Sequence, residues 1–250
     1  MGKTTVKLNV DGPSATITFA TDGGLNVLSS DVLRALEIAV QRVADARDVR
    51  ITVVRAEGKV FLAGADIREM AGLGAAQARD YGALGQGVFN DLAALPSITV
   101  ASINGAALGG GLELALACDF RIAVKSAKVG MPETSLGLIP GWGGIGRLTR
   151  LIGPSRAKRM FLSAEPISCE VGQAIGLINE IVNSAEDLGP RVAAFCRSLR
   201  RAAPTAVRLA KQAFRDADDV TAFAECFETR DAREGIAAFL EKRPAPWMAE

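Results

Sequence analysis

The chain has 250 residues, enough to bury a substantial core, and its 29 basic residues nearly balance its 28 acidic residues. This balance gives no overall field that would attract nucleic acid or an anionic membrane surface. Histidine is absent, which excludes every His-based catalytic scheme, argues against zinc sites of the usual type and leaves proton transfer to carboxylates.

The first half of the chain alternates strand and helix patterns. Alternating apolar residues predict a β-hairpin over residues 6–20, and Ser29 or Ser30 is suited to cap the helix that follows. Apolar runs at 51–54 and 98–103 predict buried strands, with a helical pattern between them. This strand-helix-strand order predicts an α/β fold.

Strand patterns end near Glu186, and three apolar helical patterns follow. We therefore predict a core domain over residues 1–185 and a helical region over residues 186–250. Such a tail can fold back on its own domain or pack on a neighbouring subunit, and the pattern favours neither.

Cysteine usage and hydropathy indicate a compartment. The four cysteines are widely spaced without a CxxC pair, which predicts buried free thiols in a reducing environment. The first residues run directly into a strand pattern without the apolar core of a secretory signal, and no run is long and apolar enough for a membrane span. We expect a cytoplasmic protein with no membrane partner.

Two short glycine-bearing segments follow the predicted strands. They are FLAGAD at 61–66 and NGAALGGGLE at 104–113. Each lies at a strand-to-helix junction, where backbone N–H groups have no helical acceptor and the helix dipole is positive. Two such donors aimed at one point form an oxyanion hole. Close packing also explains each segment taken singly, whereas the GxxxxGK[ST] pattern of a phosphate-binding loop is missing.

Two glutamates accompany these segments. Glu113 falls three residues after Gly110, in the first turn of an otherwise apolar helix, and Glu133 lies in the stretch MPETSLGLIPGWGG. In a chain without histidine, they are the natural candidates for a carboxylate pair that performs acid-base chemistry. The alternative for Glu113 is a solvated surface carboxylate favoured by the helix dipole.

At these residues the chain closely resembles the crotonase family, also called the enoyl-CoA hydratase/isomerase family. The similarity covers nearly the whole length, and its most specific parts are FLAGADIREM at 61–70, NGAALGGGLELALACD at 104–119, MPETSLGLIPGWGG at 131–144 and EGIAAFLEKR at 234–243. The resemblance implies a spiral of strand-strand-helix turns with a C-terminal helical trimerisation region. It also implies a homotrimer, or a hexamer made of two trimers.

The resemblance further implies an acyl-CoA thioester substrate, whose carbonyl would lie between the backbone N–H groups of Ala65 and Gly110. Family members that hydrate enoyl-CoA carry two glutamates, matched here by Glu113 as base toward water and Glu133 as acid toward the α-carbon. Which acid has which role stays open, because two close carboxylates titrate as a pair. No metal or resident cofactor is expected, since coenzyme A belongs to the substrate.

Further substrate or CoA contacts are expected by the same resemblance. They are Ala63, Asp66, Ile67, Arg68, Gly109, Pro132, Gly141, Trp142, Phe239 and Lys242. Trp142 departs from the small residue common at its position, and it either lines the acyl pocket or fills the core. Arg68, Phe239 and Lys242 match positions near the CoA nucleotide, the last two sometimes supplied by a neighbouring subunit.

Three functional hypotheses follow. The leading one is an enoyl-CoA hydratase that forms 3-hydroxyacyl-CoA in fatty-acid or amino-acid catabolism. The second is a double-bond isomerase or another crotonase-family reaction in which one carboxylate is idle. The third is a non-catalytic member that binds acyl-CoA or RNA, against which the near-neutral charge and the intact acid pair argue. The acyl group stays open in all three.

Overall fold

The computed structural model describes residues 2–23 and 25–248. Its strands are β1 (Thr5–Asp11), β2 (Ser14–Ala20), β3 (Ile51–Ala56), β4 (Ile98–Ile103), β5 (Ala107–Leu108), β6 (Phe120–Val124), β7 (Lys128–Gly130), β8 (Ile167–Ser168) and β9 (Glu180–Val182). Its α-helices are α1 (Ser30–Asp45), α2 (Ile67–Met70), α3 (Ala75–Ala94), α4 (Gly110–Ala117), α5 (Gly144–Ile152), α6 (Pro154–Ser163), α7 (Cys169–Ala174), α8 (Ala185–Leu199), α9 (Pro204–Asp216), α10 (Asp219–Cys226) and α11 (Arg230–Leu240). Short 3₁₀ segments cover Pro132–Leu136 and Pro246–Met248.

The long strands form one sheet in the order β1-β2-β3-β4-β6-β9. β1 and β2 form the predicted antiparallel hairpin, and the remaining neighbours pair in parallel. All six residues of β4 are buried, as expected for an apolar parallel strand covered on both faces.

A second ladder of short strands runs through the fold. It contains the sheet β5-β7-β8 and two isolated bridges, Leu28 with Ala65 and Leu62 with Ala107. The chain adds a long strand to the first sheet, then a short pairing to the second ladder, then one or more helices, and repeats this order. The predicted α/β spiral of strand-strand-helix turns is confirmed.

The first helix illustrates how local chemistry sets the boundaries. Ser29 is the N-cap, because its side chain accepts from the N–H of Val32, and α1 begins at Ser30. Apolar residues at helical spacing, Leu33, Leu36 and Val40 among them, then face the core.

The C-terminal part is helical, as predicted. α8 packs against β4, β6 and β9, whereas α9 packs against α10 and α11. Lys211 on α9 connects this group to the sheet, because its Nζ donates to Asp119 Oδ2 and to the carbonyl of Ser97, both at 2.7 Å. The division between residues 185 and 186 stays a prediction.

The cysteines are free, and three of them are buried, as predicted, whereas Cys226 is partly exposed. Among the helices of the described residues, none is long and apolar enough to cross a membrane. The cytoplasmic location stays a prediction.

Candidate active site

The segment after β3 presents one free backbone donor. Leu28 N–H donates to the carbonyl of Gly64 at 2.9 Å, and Asp66 N–H donates to the carbonyl of Leu28 at 3.0 Å. The peptide between Gly64 and Ala65 is planar and trans, so a carbonyl that faces Leu28 turns the N–H of Ala65 the opposite way. Within residues 2–23 and 25–248, that N–H has no acceptor. Gly64 has a φ of +118°, which a side chain would disfavour.

The start of α4 presents the second free donor. Gly109 has a φ of +50°, its N–H donates to the carbonyl of Gly130, and its own carbonyl accepts from Glu113 N–H, both at 2.9 Å. The N–H of Gly110 belongs to the same peptide as the Gly109 carbonyl and therefore points out of the helix start. It too has no acceptor among the described residues. The dipole of α4 makes this end positive.

The fold brings the two segments together. Leu108 N–H donates to the carbonyl of Leu62 at 3.0 Å. A Cβ placed on Gly64 would lie 3.2 Å from the carbonyl oxygen of Leu108 and 3.8 Å from the nitrogen of Gly110. The backbones therefore touch where a side chain would separate them, and both free N–H groups lie at this junction. This arrangement has the donors that an oxyanion hole requires.

Glu113 is buried beside this junction. Only 2% of the residue is exposed, and its Oε1 accepts hydrogen bonds from the backbone N–H groups of Trp142 and Gly144, both at 2.8 Å. Burial raises the pKa of Glu113 to about 7, the two N–H donors oppose the rise, and the charge of Glu133 adds to it. The alternative of a solvated surface carboxylate is therefore wrong.

Glu133 also lies against the start of α4. A Cβ on Gly109 would lie 2.8 Å from Glu133 Oε1, so the carboxyl group rests against the backbone that begins α4. Its Oε2 is buried and has no hydrogen-bond partner among the described residues. Burial raises the pKa of this carboxyl as well. A buried acceptor without a protein donor is the expected place for a water or ligand proton.

Trp142 is a core side chain. It is 4% exposed, and its ring occupies the space that a Cβ on Gly110 or Gly85 would need. Tyr81 and Phe89 contact the ring edge to face, with centroids 5.3 and 5.6 Å away. Of the two alternatives from the sequence, core filling is what the structure shows, and contact with the substrate stays a prediction.

The residues around Ala65 have local structural roles. Asp66 is the N-cap of α2, its Oδ1 accepting from the N–H of Arg68 at 3.0 Å. Ile67 and Arg68 are exposed on this short helix. Ala63 N–H donates to the carbonyl of Asn26 at 2.8 Å, which fixes the start of the segment. Their contacts with substrate stay predictions.

The remaining predicted contacts are dispersed. Pro132 begins the 3₁₀ segment that carries Glu133, and Gly141 is exposed immediately before Trp142. Phe239 is 82% exposed on α11, and Lys242 follows that helix with a φ of +53°. α11 packs on α9 in this single chain. The CoA contacts of Phe239 and Lys242 stay predictions.

Two polar residues outside the predicted site, Arg147 and Tyr81, form hydrogen bonds that support it. Arg147 Nη1 donates to the carbonyl of Trp142 at 2.8 Å, and its Nη2 donates to Asn90 Oδ1 at 2.6 Å. Tyr81 donates its hydroxyl proton to the carbonyl of Leu28 at 2.6 Å. In the sequence, Tyr81 is the lone tyrosine of an apolar helical pattern, which is a signal for a buried hydroxyl group that needs a partner.

Fold and site together define a member of a known family. Residues 13–250 match the enoyl-CoA hydratase/isomerase family, so the chain belongs to it, and the predicted resemblance is confirmed. The chain is 42% identical to crotonyl-CoA hydratase of Syntrophomonas wolfei, over 90% of this chain and 91% of that protein. It is 37% identical to short-chain-enoyl-CoA hydratase of Clostridium acetobutylicum, over 95% of each. The solved structure of Pseudomonas aeruginosa DspI matches with a TM-score of 0.90 at 34% identity, covering 97% of this chain and 96% of that one.

Proposed function

We propose that this protein is an enoyl-CoA hydratase, which adds water across the 2,3 double bond of an enoyl-CoA thioester to give a 3-hydroxyacyl-CoA. One observation carries the proposal: the buried carboxyl group of Glu113 and the part-buried carboxyl group of Glu133, whose Oε2 has no partner among the described residues, both lie at the start of α4, where Gly110 presents a free N–H. The two relatives compared above are themselves named as hydratases, which supports the same reaction.

The free N–H groups would stabilise the charge that the reaction creates. When water attacks C3, the electrons of the double bond move toward the thioester carbonyl, whose oxygen becomes enolate-like. Ala65 and Gly110 would each donate a hydrogen bond to that oxygen, and the positive end of α4 favours the same charge. Loss of one such donor in a comparable hole costs about 3 to 4 kcal/mol of transition-state stabilisation.

The two carboxyl groups would transfer the protons. In the proposed assignment, Glu113 accepts a proton from the attacking water and Glu133 delivers one to C2, so that hydroxyl and hydrogen together equal one added water. A pKa of about 7 suits Glu113 to proton transfer near neutral pH. The reaction has no net change in oxidation state, and we propose that no metal or resident cofactor takes part. Activity should therefore survive dialysis against EDTA.

The test is the loss of the conjugated enoyl absorbance of crotonyl-CoA when protein is added. We expect turnover by the wild type and a decrease of kcat by about 10²- to 10⁴-fold in Glu113→Gln and in Glu133→Gln. Glu37→Gln changes an exposed glutamate on α1 and should have no effect. Unchanged turnover in either site variant would remove that residue from the mechanism.

The other reactions of the family are outcomes of a second assay. If the protein converts 3-enoyl-CoA to 2-enoyl-CoA before any hydroxyacyl product forms, it is an isomerase. If it binds acyl-CoA but turns over no short-chain or medium-chain substrate, it is a non-catalytic member. A panel of enoyl-CoA chain lengths in the hydration assay then defines the acyl preference.

We also propose that copies of this chain assemble through the C-terminal helices, as a trimer or as two trimers. Large apolar side chains stand exposed there: Phe214, Val220, Phe223, Phe227, Ile236, Phe239 and Leu240. An exposed apolar surface of this kind marks an interface. Sedimentation should give the mass of three or six chains, and Phe214→Glu combined with Phe223→Glu should lower it. Ile38→Glu, at an exposed apolar residue on α1, should not.

A further inference from the structure

The hydroxyl group of Tyr81, the single tyrosine of the chain, reaches the carbonyl of Leu28, the residue that pairs with Ala65. The side chain projects from α3, the residue is 8% exposed, and its O–H donates to the carbonyl of Leu28 at 2.6 Å. Burial raises the pKa of this phenol, and the negative charge of Glu69 raises it further. The hydroxyl therefore stays protonated and stays a donor.

Leu28 is the residue that orients Ala65. Its N–H binds the carbonyl of Gly64, and its carbonyl accepts from Asp66 N–H at 3.0 Å, so it pairs with the backbone on both sides of Ala65. The first of these bonds fixes the plane of the peptide that carries the free N–H. A shift of Leu28 would rotate that N–H away from its direction, and Tyr81 restrains Leu28 from the side of α3.

The carbonyl and the ring of Tyr81 contact Trp142, the residue that binds Glu113. Its carbonyl accepts from Trp142 Nε1 at 3.3 Å, and its ring meets the indole edge to face. Trp142 in turn donates its backbone N–H to Glu113 and rests its ring on Gly110. Tyr81 thus contacts Leu28, which orients the N–H of Ala65. It also contacts Trp142, which touches Gly110 and donates to Glu113.

We propose that Tyr81 is a positioning residue, which acts through the carbonyl of Leu28. It keeps the N–H of Ala65 directed toward the same point as the N–H of Gly110. This inference rests on the proposed function of the same site. Tyr81 touches no reacting atom. It contributes by holding a donor in the direction that the transition state needs, and small misplacements of such a group reduce the rate strongly.

Tyr81→Phe tests the role with little disturbance of the fold. The ring and its contact with Trp142 remain, and the carbonyl of Leu28 keeps its bond from Asp66, so no buried polar group is left unpaired. We expect kcat for crotonyl-CoA to fall on the order of tenfold and KM to change by less than about twofold. The pH dependence of kcat/KM should keep its midpoint, because Glu113 retains both of its N–H donors.

Thr52→Val is the matched control. Thr52 Oγ1 shares a 2.7 Å hydrogen bond with Ser97 Oγ, and both residues are buried. Thr52 lies near the start of β3, at the opposite end from the segment that carries Ala65. This variant also loses a buried hydroxyl group and should lower the unfolding temperature, yet it should keep the kcat of the wild type. An equal decrease of kcat in both variants would indicate a general structural effect and overturn the proposal.

A spectroscopic measurement separates this inference from the proposed reaction. Butanoyl-CoA has no double bond to hydrate, and isotope-edited infrared spectra with a ¹³C-labelled thioester carbonyl report how strongly the protein polarises that bond. We expect the carbonyl band to lie at a lower frequency when bound to the wild type than when bound to Tyr81→Phe. A wild type that shifts the band but hydrates no enoyl-CoA would overturn the proposed function alone. The same band in both proteins, or no bound butanoyl-CoA in the wild type, would overturn the role of Tyr81.

Discussion

The carboxylate of Glu113 accepts a 2.8 Å hydrogen bond from the backbone N–H of Trp142, although 29 positions separate the two residues in the chain. Trp142 follows shortly after the 3₁₀ segment that carries Glu133. The stretch between β7 and α5 therefore supplies one acid and orients the other. This arrangement is consistent with the proposal that the two carboxyl groups act in one site.

The pH dependence of the reaction should report Glu113. A general base must be ionised, so kcat/KM is expected to rise with pH through about 7, the pKa to which burial raises this carboxyl. Initial rates with crotonyl-CoA between pH 5 and 9 would measure the midpoint. A profile that is flat down to the ordinary glutamate range would show that Glu113 does not titrate as the base.

Glu113→Gln should make the protein more stable above neutral pH. The carboxyl has an ordinary pKa of 4.5 and a folded pKa of about 7, so between these values the folded state holds more protons and stability falls as the pH rises. This loss of unfolding free energy is complete above about pH 7, and it is absent below the ordinary pKa of 4.5.

Glutamine retains an acceptor for the N–H groups of Trp142 and Gly144 but carries no charge. We expect this variant to gain about 1 to 3 kcal/mol of unfolding free energy at pH 8 and almost nothing near pH 4.5. Urea unfolding at both pH values measures the difference. An equal gain at both would mean that burial of the charge is not the cause.

Replacement of two glycines of α3 by alanine should change the stability of the protein in opposite directions. A Cβ on Gly85 would collide with the indole of Trp142, whereas a Cβ on Gly87 meets nothing within 4 Å. We expect Gly85→Ala to cost about 1 to 3 kcal/mol and to reduce kcat, because Trp142 must move and it holds Glu113. Gly87→Ala should gain about 0.5 to 1 kcal/mol with unchanged kcat. Thermal unfolding and the hydration assay would test both, and equal effects would contradict the packing argument.

Lys211 should matter for stability where Lys3 does not. The ammonium of Lys211 lies 2.7 Å from Asp119, and the Lys211 side chain is 11% exposed, while the Lys3–Asp31 pair at 2.9 Å is mostly exposed. We expect Lys211→Ala to lower the unfolding free energy by about 1 to 3 kcal/mol, because it leaves a part-buried carboxylate and the Ser97 carbonyl with fewer donors. Lys3→Ala should cause no measurable change, since exposed pairs contribute little. Urea titrations compare them directly, and similar losses would show that burial is not what distinguishes them.

Local patterns were sufficient for much of this protein. The hairpin over 6–20, a helix cap at Ser29 or Ser30 and the strand at 98–103 follow from residue alternation, hydroxyl capping and an apolar run, which act over a few neighbouring residues. The two glycine-bearing segments were also visible, because glycine permits backbone conformations that other residues avoid.

The placement of these parts required the tertiary structure. The composition, which contains no histidine, left carboxylates as the candidates for proton transfer, and the motifs determined the family. Only the fold shows that Glu113 is buried rather than solvated, that Trp142 fills the core, and that Tyr81 reaches Leu28 across 53 positions of sequence. Burial and long-range hydrogen bonds depend on how elements pack against one another, and no local pattern encodes the partner that a side chain will meet.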